Sequence, residues 1–142
     1  MKLKLSKNLK NMIARIEKIK KMGHGKGKLT VEVDYFKSVH WLEDDNSETF
    51  QPFMIVFVHD ESYFILGTHL VVPDEKFQME FFDQFLKVLE TSPFTIGKIL
   101  VKKQELFDLF EKTSTDLNIE IEMVKRLPAV ESVKRDIARY FK

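Results

Sequence analysis

Leu5, Leu9, Met12, Ile16 and Ile19 recur in alternating steps of four and three near the start of the chain, and Ile13 widens their stripe. That period predicts an amphipathic helix. Gly23 suits its stop, and Lys18, Lys20 and Lys21 suit the negative end of its dipole. The stripe runs little more than two heptads, too short for an independent coiled coil, so it must pack on its own domain or on a neighbouring chain. The run Gly23-His24-Gly25-Lys26-Gly27-Lys28 reads as a flexible hinge. The expected organisation is therefore a helical arm over 1–22, a linker over 23–28 and a body over 29–142.

Beyond the hinge the period changes to two. Leu29, Val31, Val33 and Tyr35 alternate with Thr30, Glu32 and Asp34, which predicts a half-buried strand. Glu43 to Glu48 is an acidic loop, and Phe53 to His59 is apolar on both faces, as a central strand would be. Asp60-Glu61-Ser62 turns the chain into a third strand, Tyr63 to Val72, in which Gly67 marks a bulge or a close approach. Pro73-Asp74 then opens a helix to about Glu90, with Phe77, Phe81, Phe85 and Leu89 at four-residue spacing. A strand over Ile99 to Val101, a helix from Lys103 to Thr113 and a strand over Ile119 to Val124 follow. A last helix starts at Pro128 and turns Val130, Val133, Ile137 and Tyr140 inward. The fold class is α/β: a three-stranded antiparallel meander, then αβαβα, giving a mixed five-stranded sheet with helices on both faces.

Composition removes several chemistries. No cysteine is present, which excludes disulfides, thiolate metal sites and cysteine nucleophiles. The longest apolar run, Phe53 to Val58, falls far short of the ~20 residues of a membrane span. Arg15, Glu17 and Lys18 interrupt the apolar stretch that a secretory signal needs, so a cytoplasmic protein is expected. A Walker loop fails on spacing and on its helix-to-strand order. His59 and His69 stand too far apart on one hairpin to share a metal, and Ser62 sits on a turn, not in a nucleophile elbow.

The net charge of +1 conceals a division. Residues 1–28 hold ten Lys/Arg against one Glu, while residues 29–90 hold three against thirteen Asp/Glu. Lys7, Lys10, Arg15, Lys18 and Lys21 are the candidate contacts for an acidic partner or a nucleic-acid backbone. The arm has no aromatic side chain for base stacking, and the acidic body of this or a neighbouring chain is the partner already present. A homo-oligomer is a further expectation, through the N-terminal helix or through a face formed by Phe77, Phe81 and Phe85.

A meander followed by αβαβα resembles the ribonuclease H-like fold of integrases, transposases and many nucleases. The hairpin text Val58-His59-Asp60-Glu61-Ser62-Tyr63-Phe64-Ile65-Leu66-Gly67 is similar to the second and third strands of integrase cores. The C-terminal half, including Leu117-Asn118-Ile119-Glu120-Ile121 and Leu127-Pro128-Ala129-Val130, resembles an uncharacterised bacterial domain family. The fold resemblance implies clustered acids holding two Mg²⁺ or Mn²⁺ ions, on the first strand, the end of the fourth and a late helix. It offers Asp34 (or Glu32 beside it), Glu80 and Glu131 as catalytic acids. The fourth strand, however, runs into Lys102 and Lys103, with Glu105 already in the next helix. No catalytic, cofactor-binding or metal-binding residue is therefore assigned. The expected function is a non-catalytic interaction or accessory domain without cofactor, and the alternatives are a nucleic-acid-binding protein or a divergent metal-dependent nuclease.

Overall fold

The computed structural model describes residues 7–140. The chain runs α1 (Lys7–Lys20), β1 (Leu29–Lys37), β2 (Leu42–Glu43), β3 (Thr49–Phe50), β4 (Phe53–His59) and β5 (Ile65–Val71). It continues through α2 (Phe77–Thr91), β6 (Ile96–Val101), α3 (Gln104–Asp116), β7 (Glu120–Met123) and α4 (Pro128–Tyr140). The main sheet has the order β5-β4-β1-β6-β7. β1, β4 and β5 pair antiparallel, and β6 and β7 add in parallel on the other side of β1. Read without the small β2–β3 hairpin, this is the 3-2-1-4-5 order of the ribonuclease H-like fold. Leu5, the first residue of the predicted helical stripe, lies outside the described residues.

Strand alternation divides β1 between two layers. Val31 and Val33 face a core shared with Phe81, Phe85, Leu89, Leu106 and Phe110 of α2 and α3. On the other face, Val56 and Val58 of β4 pack with Leu127, Ala129, Val130 and Val133 around α4. α4 also covers the polar face of β1, so Glu32 and Asp34 are only 2% and 4% exposed. The half-buried strand expected from the alternation is thus buried on both sides.

The phenylalanine row of α2 faces inward. Phe77, Phe81 and Phe85 are all buried, and Phe81 and Phe85 meet Phe110 with ring centroids at 5.3 and 4.5 Å. Phe81 also stands edge-on to Phe57. Such pairs contribute about 0.5–1.5 kcal/mol each beyond their area. The expectation of an oligomeric face at Phe77, Phe81 and Phe85 is therefore corrected: β1, β4 and α3 already cover these rings.

Other boundaries also moved. α2 starts at Phe77, four residues after Pro73, because Asp74 closes a local turn by accepting the Lys76 N–H at 2.9 Å. The acidic segment contains the β2–β3 hairpin, with Leu42 opposite Phe50. Tyr140 is 85% exposed and Trp41 63% exposed, so neither belongs to the core. At Gly67 both expected features occur: the β4–β5 register shifts there, and an added Cβ would strike the Val88 side chain on α2.

The predicted hinge is the clearest correction. Residues His24–Lys26 form a short 3₁₀ turn, and His24 is 2% exposed. Its ring accepts the Ile96 N–H at Nδ1 (3.0 Å) and lies 2.7 Å from the Leu89 carbonyl at Nε2. Gly27 lies so close to Thr95, and Gly97 to Gly27, that a Cβ at either would collide with backbone. A glycine-rich run reads as flexible in sequence, but here glycine permits backbones to touch.

α1 packs on α2. Ile19 is fully buried, and Met12 and Ile16 rest against the same core. Arg15 bridges Asp83 and Glu90 at 2.5 and 2.7 Å, which hold its guanidinium pKa above the usual value. Among the described residues, no helix is long and apolar enough to cross a membrane.

Candidate functional site

The C-terminal ends of β1 and β6 and the start of α4 meet at a groove of about 460 Å³, lined by Asp34, Tyr35, Lys37, Lys103, Glu131 and Lys134, among others. Parallel pairing of β1 with β6 aligns Glu32 with Leu100, which carries Lys102 and Lys103 past Asp34. This is where the ribonuclease H-like pattern places its acids.

Asp34 is engaged by ammonium groups. Lys103 Nζ lies 2.7 Å from Asp34 Oδ1 and 2.6 Å from the Tyr35 carbonyl oxygen, and Lys102 Nζ lies 3.9 Å from Asp34 Oδ2. The Lys103 ammonium also sits 3.8 Å from the centroid of the Tyr35 ring, a cation–π arrangement. The Tyr35 hydroxyl donates to Glu105 on α3, and burial followed by that carboxylate raises the phenol's pKa.

The other acids are committed elsewhere. Glu131 is bonded to Arg126 at 2.9 and 3.3 Å, which holds its carboxyl below the ordinary range, with Lys102 and Arg135 adding to the effect. Glu32 Oε1 accepts the Val130 N–H at 3.0 Å, in the first turn of α4. Glu80 lines a different hollow, between α1 and α2, together with Arg15 and His69. The fold thus brings Asp34 and Glu131 to one groove and leaves Glu80 out of it.

A divalent ion needs several carboxylate oxygens turned toward one point, and Mg²⁺ holds them at about 2.1 Å. Among the described residues, no three Asp, Glu or His groups are placed to hold a metal. The donor set does not fit the implied two-metal centre, because a fixed ammonium neutralises Asp34 and the end of β6 supplies lysines. The groove's excess of lysines, including Lys37 and Lys134, was missed from sequence. On α4 the signal was available, since Lys134 follows Glu131 by three and shares its helix face. On β1 the three-residue step from Asp34 to Lys37 crosses to the other strand face and gave no sign that Lys37 lines the groove.

Glu32 supplies a pH test. Burial raises its carboxyl pKa above the ordinary range, against the lowering effect of the Val130 and Ala129 amides, with Asp60 and Glu131 adding repulsion. A raised folded-state value means that the native state holds this proton longer than the unfolded chain. The associated stability is present below the unfolded value of about 4.3 and is lost as pH rises through the folded value. Glu32→Gln keeps an acceptor for Val130 and removes the charge. It is expected to match or exceed wild-type stability at pH 7 and to lose that advantage near pH 4, read from urea midpoints.

The arm candidates divide in the same way. Lys7, Lys10, Lys18 and Lys21 are exposed, whereas Arg15 is engaged with Asp83 and Glu90.

Solved structures similar to the chain include two integrase catalytic core domains. The catalytic core domain of BIV integrase aligns with a TM-score of 0.54 at 12% identity, over 78% of this chain and 64% of that one. The chain thus spans just under two thirds of that core. The HTLV-2 integrase catalytic core domain, solved in complex with magnesium, aligns with a TM-score of 0.56 at 14% identity, over 80% of this chain and 71% of the other. At such identities the similarity shows a shared fold. No curated protein matches the sequence. The profile of one family, the domain of unknown function DUF6930, matches residues 15–138, from Arg15 on α1 through the sheet to α4, and the chain belongs to that family.

Proposed function

We propose that this protein is a non-catalytic interaction domain, in which a lysine ammonium stands where the fold's enzymes hold metal. The observation that carries this reading is the 2.7 Å contact of Lys103 with Asp34. A cation covalently attached to the chain neutralises the first-strand acid permanently, so the groove needs no divalent ion to stay folded. It also gives up the Lewis acid that phosphodiester cleavage on this fold would use.

The test is a Mn²⁺ titration followed by paramagnetic broadening of backbone amides. The expected result is no selective broadening at residues 33–36 or 130–132 at millimolar Mn²⁺. Selective broadening centred on Asp34 would overturn the reading and restore the metal-dependent nuclease.

A second reading, binding of a nucleic-acid backbone without cleavage, is supported by the groove's lysines. Lys37, Lys102, Lys103 and Lys134 line it against Asp34 and Glu131, and both acids already have cationic partners. The exposed arm lysines add to this charge. Generic duplex binding that weakens steeply with salt, and weakens further in Lys37→Ala/Lys134→Ala, is its expected signature.

A further inference from the structure

The two ends of the sheet carry apolar surfaces of opposite charge. Where β1 starts and β4 stops, Leu29, His59, Phe64, Leu66, Pro93 and Phe94 line a groove of about 530 Å³. Phe64 and Phe94 are 60% and 64% exposed, unusual for side chains of this size. Lys26 and Lys28 line the adjoining hollow, which shares Leu29, His59 and Phe94 with the groove and contains one carboxylate, Glu61. Neither lysine forms an ion pair among the described residues.

The turn beside the groove is held firmly. Tyr63 adopts φ 62°, a left-handed conformation that is uncommon for an aromatic residue. The His59 N–H donates to the Phe64 carbonyl at 2.8 Å, the Tyr63 N–H to the His59 carbonyl at 3.0 Å, and the Phe64 N–H to Ser62 Oγ at 3.2 Å. These bonds fix Phe64 at the groove's rim.

The opposite end presents the complement. Val39, Trp41 and Leu42 are 46%, 63% and 40% exposed, directly before Glu43, Asp44, Asp45 and Glu48 on the β2–β3 hairpin. Asp44 Oδ1 accepts the N–H groups of Asn46 and Glu48, both at 2.9 Å, so the tip is preorganised. Strand β1 has nine residues, which separates the two ends by roughly 30 Å at ~3.3 Å per residue. The hairpin therefore cannot reach the groove of its own molecule.

We infer that the groove receives the Trp41 hairpin of a second copy of this chain. The indole and Leu42 fill the space beside Phe64 and Phe94, and the hairpin acids face Lys26 and Lys28. The contact joins unlike surfaces, so a pair of molecules keeps one free hairpin on one member and one free groove on the other. Such an interface is heterologous and builds head-to-tail dimers and longer chains.

Sedimentation velocity on the full chain, over a concentration series at low and high salt, tests this. The expected result is concentration-dependent growth past the dimer, weakened by salt. Trp41→Ser and Phe94→Ser, both at exposed positions, should each weaken association about tenfold or more while leaving the thermal melt unchanged. The decisive sample is their mixture. Trp41→Ser keeps a working groove and Phe94→Ser a working hairpin, so the mixture should form one-to-one dimers and nothing larger. A wild type that stays monomeric at millimolar concentration overturns the inference, even if the groove captures an acidic, Trp-containing peptide from another protein. Association insensitive to both variants, or a mixture that stays monomeric, also overturns it.

Discussion

Replacing Lys103 with methionine is expected to destabilise the fold by about 3 kcal/mol, and adding Asp34→Asn to that variant is expected to recover most of the loss. Asp34 has a side chain only 5% exposed, and its principal partner is Lys103 at 2.7 Å. Removing that ammonium leaves a buried carboxylate whose nearest remaining cation, Lys102, lies 3.9 Å away on a side chain 41% exposed. The Tyr35 carbonyl loses its bond to Lys103 as well. Removing both charges substitutes a neutral pair for the ion pair, which proteins often tolerate at little cost. A double-mutant cycle from urea unfolding gives the coupling energy directly. Near-additive losses would show that the ammonium does not compensate Asp34. The cycle also bears on function, since a strongly coupled pair cannot release Asp34 to a metal without unfolding cost.

His24→Ala is expected to cost roughly 3–5 kcal/mol, the larger of the two effects. Both ring nitrogens are used, Nδ1 by the Ile96 N–H and Nε2 by the Leu89 carbonyl, in a site only 2% exposed. The bond from Ile96 makes Nδ1 the acceptor, so Nε2 carries the hydrogen toward Leu89. Alanine leaves a buried donor and acceptor unpaired, at about 1–3 kcal/mol each, and opens a cavity as well. For a chain of this length the loss lowers Tm by roughly 10 °C or more. The same residue ties the segment after α1 to the end of α2 and the start of β6. Hydrogen exchange in His24→Ala should therefore rise first in α1, and uniform loss of protection would show that α1 has no separate dependence on the clamp.

Much of the architecture was legible because it rests on local period. The change from a helical period in Leu9–Ile19 to alternation in Leu29–Tyr35, and the all-apolar Phe53–His59, locate α1, β1 and β4. The absence of an acid at the end of the fourth strand was also visible, as Lys102-Lys103. The fate of polar groups was not, because alternation identifies a strand's two faces without saying what covers them. Thr30, Glu32 and Asp34 read as a solvent side until α4, almost a hundred residues later, is laid over Glu32 and Asp34.

The sequence by itself determined the order of elements, the missing acid and the separation of a basic arm from an acidic body, since all three are properties of neighbouring residues. Tertiary structure alone decided that the glycine-rich run is a packed turn, that Phe77, Phe81 and Phe85 are core, and that Lys103 sits on Asp34. Each depends on residues far apart in sequence meeting in space. Ion pairing, burial and close backbone approach act over a few ångströms, whatever the number of residues between the partners.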